Sequence, residues 1–122
     1  MGVPTVSNEI TPTYRPVAGT GQNITAGASS AEGTAIVSGR RFLRICAING
    51  TARYAIGPAG GPALTCAATD AALLQGVVDI IDIPVNSAGS PVRIAFRRDA
   101  TATADVTVSV IECVIEGAIN TN

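Results

Sequence analysis

The chain has 122 residues, 47% of them hydrophobic, with eight Arg against nine Asp plus Glu, no Lys and no His, for a formal net charge of −1. That length suits one domain with a single core. The near-neutral balance supplies no basic field for nucleic acid or an anionic membrane, and without imidazole the chain lacks both the side chain that titrates near neutrality and the commonest transition-metal ligand. Twenty-five residues are Val or Ile and four are Leu. That ratio favours strands, because β-branched side chains lose little freedom on a pleated surface and much on a helix. Twenty residues are Ala and only four (Tyr14, Phe42, Tyr54, Phe96) are aromatic, so the core is thin, and a small β domain of this kind gains by burying more surface in an oligomer.

Residues 1–21, MGVPTVSNEITPTYRPVAGTG, carry prolines at 4, 12 and 16 and no sustained period, which predicts an extended arm. Its Val3, Pro4, Val6, Ile10, Tyr14 and Val17 are more apolar than a solvated tail requires and mark the arm as partner-binding. Residues 22–117 then alternate strand-like runs with Gly, Pro, Asn and Asp punctuation, the cadence of a sandwich or barrel. Strands are expected at 22–26 and 34–38, with SSAEG as the turn between them. Over 41–48, Phe42, Arg44, Cys46 and Ile48 share one face and Leu43, Ile45 and Ala47 the other. Asn49-Gly50 predicts a type I′ hairpin into RYAIG at 53–57. GPAGGPALTCAATDAA has no β period and reads as a long loop with one helical turn near 67–74.

VVDIIDI at 77–83 and PVRIAFR at 91–97 predict a second hairpin, the latter with Val92, Ile94 and Phe96 inward and Arg93 and Arg97 outward. Along 105–115 the apolar phase changes after Val110 to Ile111, Cys113 and Ile115, which signals a bulge or a strand covered on both faces. The expected architecture is all-β: a compact sandwich or jelly-roll-like domain of about seven or eight strands, with the N-terminal arm before it and a short tail, residues 118–122, after it.

No constellation for an enzyme emerges. Asp79 and Asp82 are three apart on a strand and face opposite sides, and Glu112 and Glu116 are about 13 Å apart along an extended chain. GPAGGP lacks the Lys-Ser/Thr of a phosphate-binding loop. Asp99 and Asp105 lack the spacing of a calcium loop. No metal or other cofactor is expected. Cys46, Cys66 and Cys113 form no CxxC and read as buried free thiols. No apolar run approaches a membrane span and no leader opens the sequence, so synthesis in the cytoplasm, without membrane association, is the expectation. The arginines Arg40, Arg41 and Arg44 in one region and Arg93, Arg97 and Arg98 in another, on outward faces and strand ends, are the candidate subunit or docking contacts.

The stretch from Arg40 to Glu112 contains YAIGP (54–58), LLQGVVDII (73–81) and DVTVSV (105–110), and in this order of motifs it resembles small all-β proteins of tailed-phage virions, the capsid decoration or cement type. The resemblance implies a structural protein on the capsid surface that stabilises the phage head. Its partners would be the major capsid protein and itself, as a homotrimer, with the N-terminal arm as the capsid clasp and the arginine-bearing strand faces as subunit contacts. A tail or fibre component, or a receptor- or glycan-binding module, is the alternative, with Tyr14 and Tyr54 as its candidate sugar-stacking aromatics.

Overall fold

A computed structural model of the chain describes residues 11–29, 31–36, 42–58, 63–82 and 92–118. Among them are nine strands and no helix: β1 (Thr11–Pro16), β2 (Gln22–Ala26), β3 (Ala31–Ile36), β4 (Phe42–Ala47), β5 (Ala52–Pro58), β6 (Ala71–Leu73), β7 (Val78–Asp82), β8 (Val92–Arg98) and β9 (Val106–Ala118). They form two antiparallel sheets. Sheet A runs β1-β9-β4-β7, with β2 beside β9 on the same edge as β1, and sheet B runs β3-β8-β5-β6.

The pairing has a nested order. β2 pairs with β9, β3 with β8, β4 with β7 and β5 with β6, as in one long hairpin, and rolling that hairpin sets β9 beside β4 and β8 beside β5. This is the connectivity of a jelly roll. The core between the sheets is drawn from alternate positions: Leu43, Ile45 and Ala47 of β4, Val106, Val108 and Val110 of β9, Ile94 and Phe96 of β8, and Leu73 of β6. The inward set expected on β8 is therefore the buried one, with Val92 4%, Ile94 1% and Phe96 0% exposed.

Jelly-roll topology overturns both predicted hairpins. β4 and β5 lie in different sheets, and Asn49-Gly50 carries the chain across the sandwich instead of turning it back. A type I′ turn needs φ > 0 at both central residues, whereas the described positive-φ residues are Gly19 and Gly76. Asn49 instead caps β9: its Oδ1 accepts the Thr107 N–H at 2.7 Å and its Nδ2 donates to the Asp105 carbonyl at 3.4 Å. Gly50 is there for room, since a Cβ would come within 2.7 Å of Val106 Cγ2. β7 and β8 likewise belong to opposite sheets, because alternation marks a buried face without naming the neighbour.

The helical turn expected near 67–74 is a short turn followed by β6. The Asp70 N–H donates to the Ala67 carbonyl at 3.1 Å and Asp70 Oδ2 accepts the Ala67 N–H at 2.7 Å, after which 71–73 pair with β5. Part of the arm also belongs to the domain. Thr11–Pro16 pairs with 113–118 of β9, and its prolines are tolerated because this is a sheet edge. Val3, Pro4, Val6 and Ile10 lie outside the described residues.

The phase change in β9 leaves its pairing with β4 unbroken from Ala47↔Val108 to Phe42↔Cys113. The irregularity sits on the facing edge, where 17–21 loop past Ile111 and Glu112. Val17 N–H donates to the Glu112 carbonyl at 2.8 Å, the Glu112 N–H donates to Thr20 Oγ1 at 3.0 Å, and that hydroxyl donates to the Val17 carbonyl at 2.8 Å. Gly19, at φ 83°, makes the reversal. Glu112 thus takes an inward position beside Leu43, while Cys113, 0% exposed, faces out.

Candidate binding face

The two outer faces of the sandwich are built differently. On sheet B the outward positions of β5 and β8 include Ala55, Gly57 and Ala95, and the small side chains leave room for residues 63–70 to lie across them. Leu64 packs so closely over Gly57 that a Cβ there would meet Leu64 Cδ1 at 3.0 Å, and Cys66 is 2% exposed. Burial, with Asp70 adding to it and Arg97 and Arg53 opposing, pushes the Cys66 thiol above its ordinary pKa. Arg53 fastens this roof: its Nη1 donates to the Asp70 carbonyl at 3.0 Å and its Nε to Asp99 Oδ1 at 3.0 Å. Arg53 stands directly opposite Arg97, a like-charge pair that these acceptors offset. Thr101 gives both its hydroxyl and its N–H to Asp99, and with Arg53 these bonds hold the Asp99 carboxyl down at about 2.

Sheet A has no comparable cover among the described residues. Its outward rows, read from the register, are Pro16, Cys113, Phe42 and Asp82, then Ile111, Arg44 and Ile80, then Asn23, Ser109, Cys46 and Val78. Tyr14 and Phe42 meet edge to face at 5.3 Å and 71°. Burial raises the Cys113 thiol, with nearby Arg44 opposing. Of the five exposed large hydrophobics among the described residues, Ile48, Val78 and Ile115 belong to this face. Leu74 and Val77 close the turn into its edge strand β7, the Val77 N–H donating to the Leu74 carbonyl at 3.1 Å around Gly76 at φ 74°. A shallow hollow of about 410 Å³ at one margin is lined by Gly21, Gln22, Asn23, Arg44, Ser109 and Ile111.

The arginines singled out in the sequence do not form one patch. Arg44 is exposed on the outer face of sheet A, Arg93 and Arg97 are half-buried on that of sheet B, and Arg98 lies at the end of the sandwich with Nη1 3.1 Å from Asp105 Oδ1. Arg40 and Arg41 lie outside the described residues. Of the arm residues, Tyr14 is on the outer face of sheet A and Val17 is fixed at the β1–β2 kink. Tyr54 points inward, its hydroxyl donating to Asp79 Oδ2 at 3.4 Å, so it is not a sugar-stacking surface; burial first, then the Asp79 charge, raises its pKa. Asp79 and Asp82 face opposite sides, as their spacing requires. Asp99 and Asp105 are both engaged by arginines, and among the described residues no group of three or more His, Cys, Asp or Glu side chains could hold a metal ion.

The sequence pointed to Phe42, Arg44, Cys46 and Ile48 as one strand face but did not show that it was the uncovered one. Ile80, Val78 and Asp82 joined them only through the β4–β7 pairing. No protein-family model, no curated protein and no solved structure matches the chain.

Proposed function

We propose that this protein is a structural component of a virion, a capsid decoration or cement protein that stabilises the head by binding major capsid subunits and acts by contact, without chemistry. The observation that carries the reading is the inequality of the two outer faces. The chain roofs sheet B with its own residues 63–70, while the face of Phe42, Ile111, Ile115, Ile80 and Val78 on sheet A is covered by none of the described residues and is open to another protein. The jelly roll supports it by analogy, since that fold recurs in viral capsid domains. Residues 1–10, which lead into β1 at the edge of this face, are the proposed clasp, and many repeated weak contacts over a particle would add through avidity.

The test is cosedimentation with capsids of the same genomic neighbourhood, using the intact chain and a variant lacking residues 1–10, which keeps every described strand. The intact chain is expected to pellet with capsids and raise their rupture temperature, and the shortened one to stay in the supernatant. An intact chain that ignores capsids removes the reading, and a shortened chain that binds as well removes the clasp.

One observation favours a second reading, a glycan-binding module of a tail fibre. The hollow beside Arg44 is lined by Gln22, Asn23 and Ser109, of which Asn23 and Ser109 stand at outward positions and offer the amide and hydroxyl groups that sugar hydroxyls bind. A glycan array with no hits would dismiss it.

A further inference from the structure

We propose that the uncovered outer face of sheet A closes on the same face of a second copy of this chain, across a twofold axis that sets Arg44 of each protomer against Asp82 of the other. The inference does not depend on the capsid reading, and its symmetry differs from the homotrimer that the phage resemblance implies.

Charge is the first argument. Along the outward positions of the described strands of this sheet stand one cation, Arg44 on β4, and one anion, Asp82 on β7; the others are apolar or uncharged polar groups. The face is neutral and carries each sign once, which is the condition for a surface to complement itself. In an isologous contact residue i meets j and j meets i, so a single Arg–Asp pair is satisfied twice.

Geometry is the second. Arg44 pairs with Ile80, and Asp82 is the next outward residue along β7, so the two sit on a diagonal about 7–8 Å long. Among the described residues neither makes an ion pair: the guanidinium and the carboxylate are exposed and do not bridge within the protomer. An axis lying in the plane of the face that bisects this diagonal runs obliquely over Phe42, the residue that shares a row with Asp82 and Cys113. The aromatic pair Phe42–Tyr14 then falls near the centre of the contact and the charges flank it, the arrangement of interfaces with aromatic anchors and desolvated polar neighbours.

Area is the third. Four strands abreast and the stretch of β9 from Thr107 to Ile115 span roughly 20 by 30 Å. That is about 600 Å² per protomer, or about 1,200 Å² for two copies, at the lower bound of stable specific interfaces. A core of small side chains between the sheets makes this additional burial worth having.

The test is light scattering of the purified, full-length chain across a dilution series. The expected mass is twice the 12.2 kDa of one chain. R44D and D82R each set like charges against one another across the axis, and each is expected to weaken association by at least about tenfold. The charge-swapped double variant R44D/D82R restores an Arg–Asp pair on both sides of the axis, and its dissociation constant is expected to return to within about threefold of the parent. Circular dichroism of each variant shows that the sandwich is intact, since both positions are solvent-facing. A parent that is monomeric or trimeric overturns the proposal. So do folded single variants that dimerise like the parent, or a double variant as weak as the singles. The measurement needs no capsid, so self-association is tested apart from capsid binding; a stable dimer closes this face and leaves residues 1–10 to carry any contact with the capsid.

Discussion

Asp99 shows how a polar residue holds a β protein together where aromatic mass is scarce. Its carboxylate accepts from Thr101 and Arg53, and its backbone N–H donates to the Thr51 carbonyl at 2.9 Å, so one residue closes the 99–102 turn and ties it to the start of β5. Because its folded pKa is lowered to about 2 from an ordinary value of 3.8, the unfolded chain takes up a proton first on acidification. Stability from this group is therefore complete above about pH 4 and is lost as pH falls towards 2. Asp99→Asn is expected to lower the melting temperature at pH 7 and to flatten its dependence on pH between 4 and 2, measured by circular dichroism melts; an unchanged slope would remove Asp99 as the source of that acid limb.

Among the elements, residues 63–70 behave as a third layer without being a strand or helix. Their attachment rests on Leu64 over Gly57 and on the Arg53 bond to the Asp70 carbonyl, with Asp99 holding the guanidinium from the other side. Arg53→Ala removes both bonds and leaves Asp99 without its ion-pair partner. The Cys66 thiol, 2% exposed in the folded chain, should then react with a thiol reagent at least about tenfold faster, because labelling follows the open fraction of the roof. Half-buried Cys46 supplies the internal reference, and equal acceleration at both would indicate global loosening. Gly57 was legible in the sequence only as part of a glycine-rich run; the need for a small residue there comes from Leu64, brought back over it by the intervening chain.

At the scale of the whole molecule, the nested pairing joins distant segments: Ala26 pairs with Val106 and Thr11 with Ala118. Such non-local closure predicts slow folding for this size, in milliseconds to seconds. It also means that β1, which reads as an arm in the sequence, is a structural edge. A chain lacking residues 1–16 loses the Tyr14–Phe42 contact and the Pro16 that lies beside Cys113 in the sheet. It is expected to be less stable than a chain lacking only 1–10 by roughly 2–4 kcal/mol in urea, from lost aromatic burial and ladder hydrogen bonds. Cys113 should become reactive in the longer deletion alone. Equal urea midpoints for the two would show that β1 contributes nothing to the sheet.

The sequence by itself determined that this is an all-β domain, which residues of β4 and β8 share a face, and that Asp79 and Asp82 part to opposite sides, because a period of two is a local property of an extended chain. It could not determine partners. Asn49-Gly50 has hairpin composition, yet its side chain is used 58 residues away at Thr107, and the VVDIIDI and PVRIAFR runs alternate well while belonging to different sheets. Strand order, the roof over sheet B and the lack of such a roof on sheet A among the described residues were decided by tertiary closure, since which alternating strand lies beside which depends on burial summed over the whole roll. For the same reason the candidate site was half legible: Phe42 and Arg44 could be placed on one face from β4 alone, but Asp82 and Ile80 came to lie beside them only when β7 was added to the sheet.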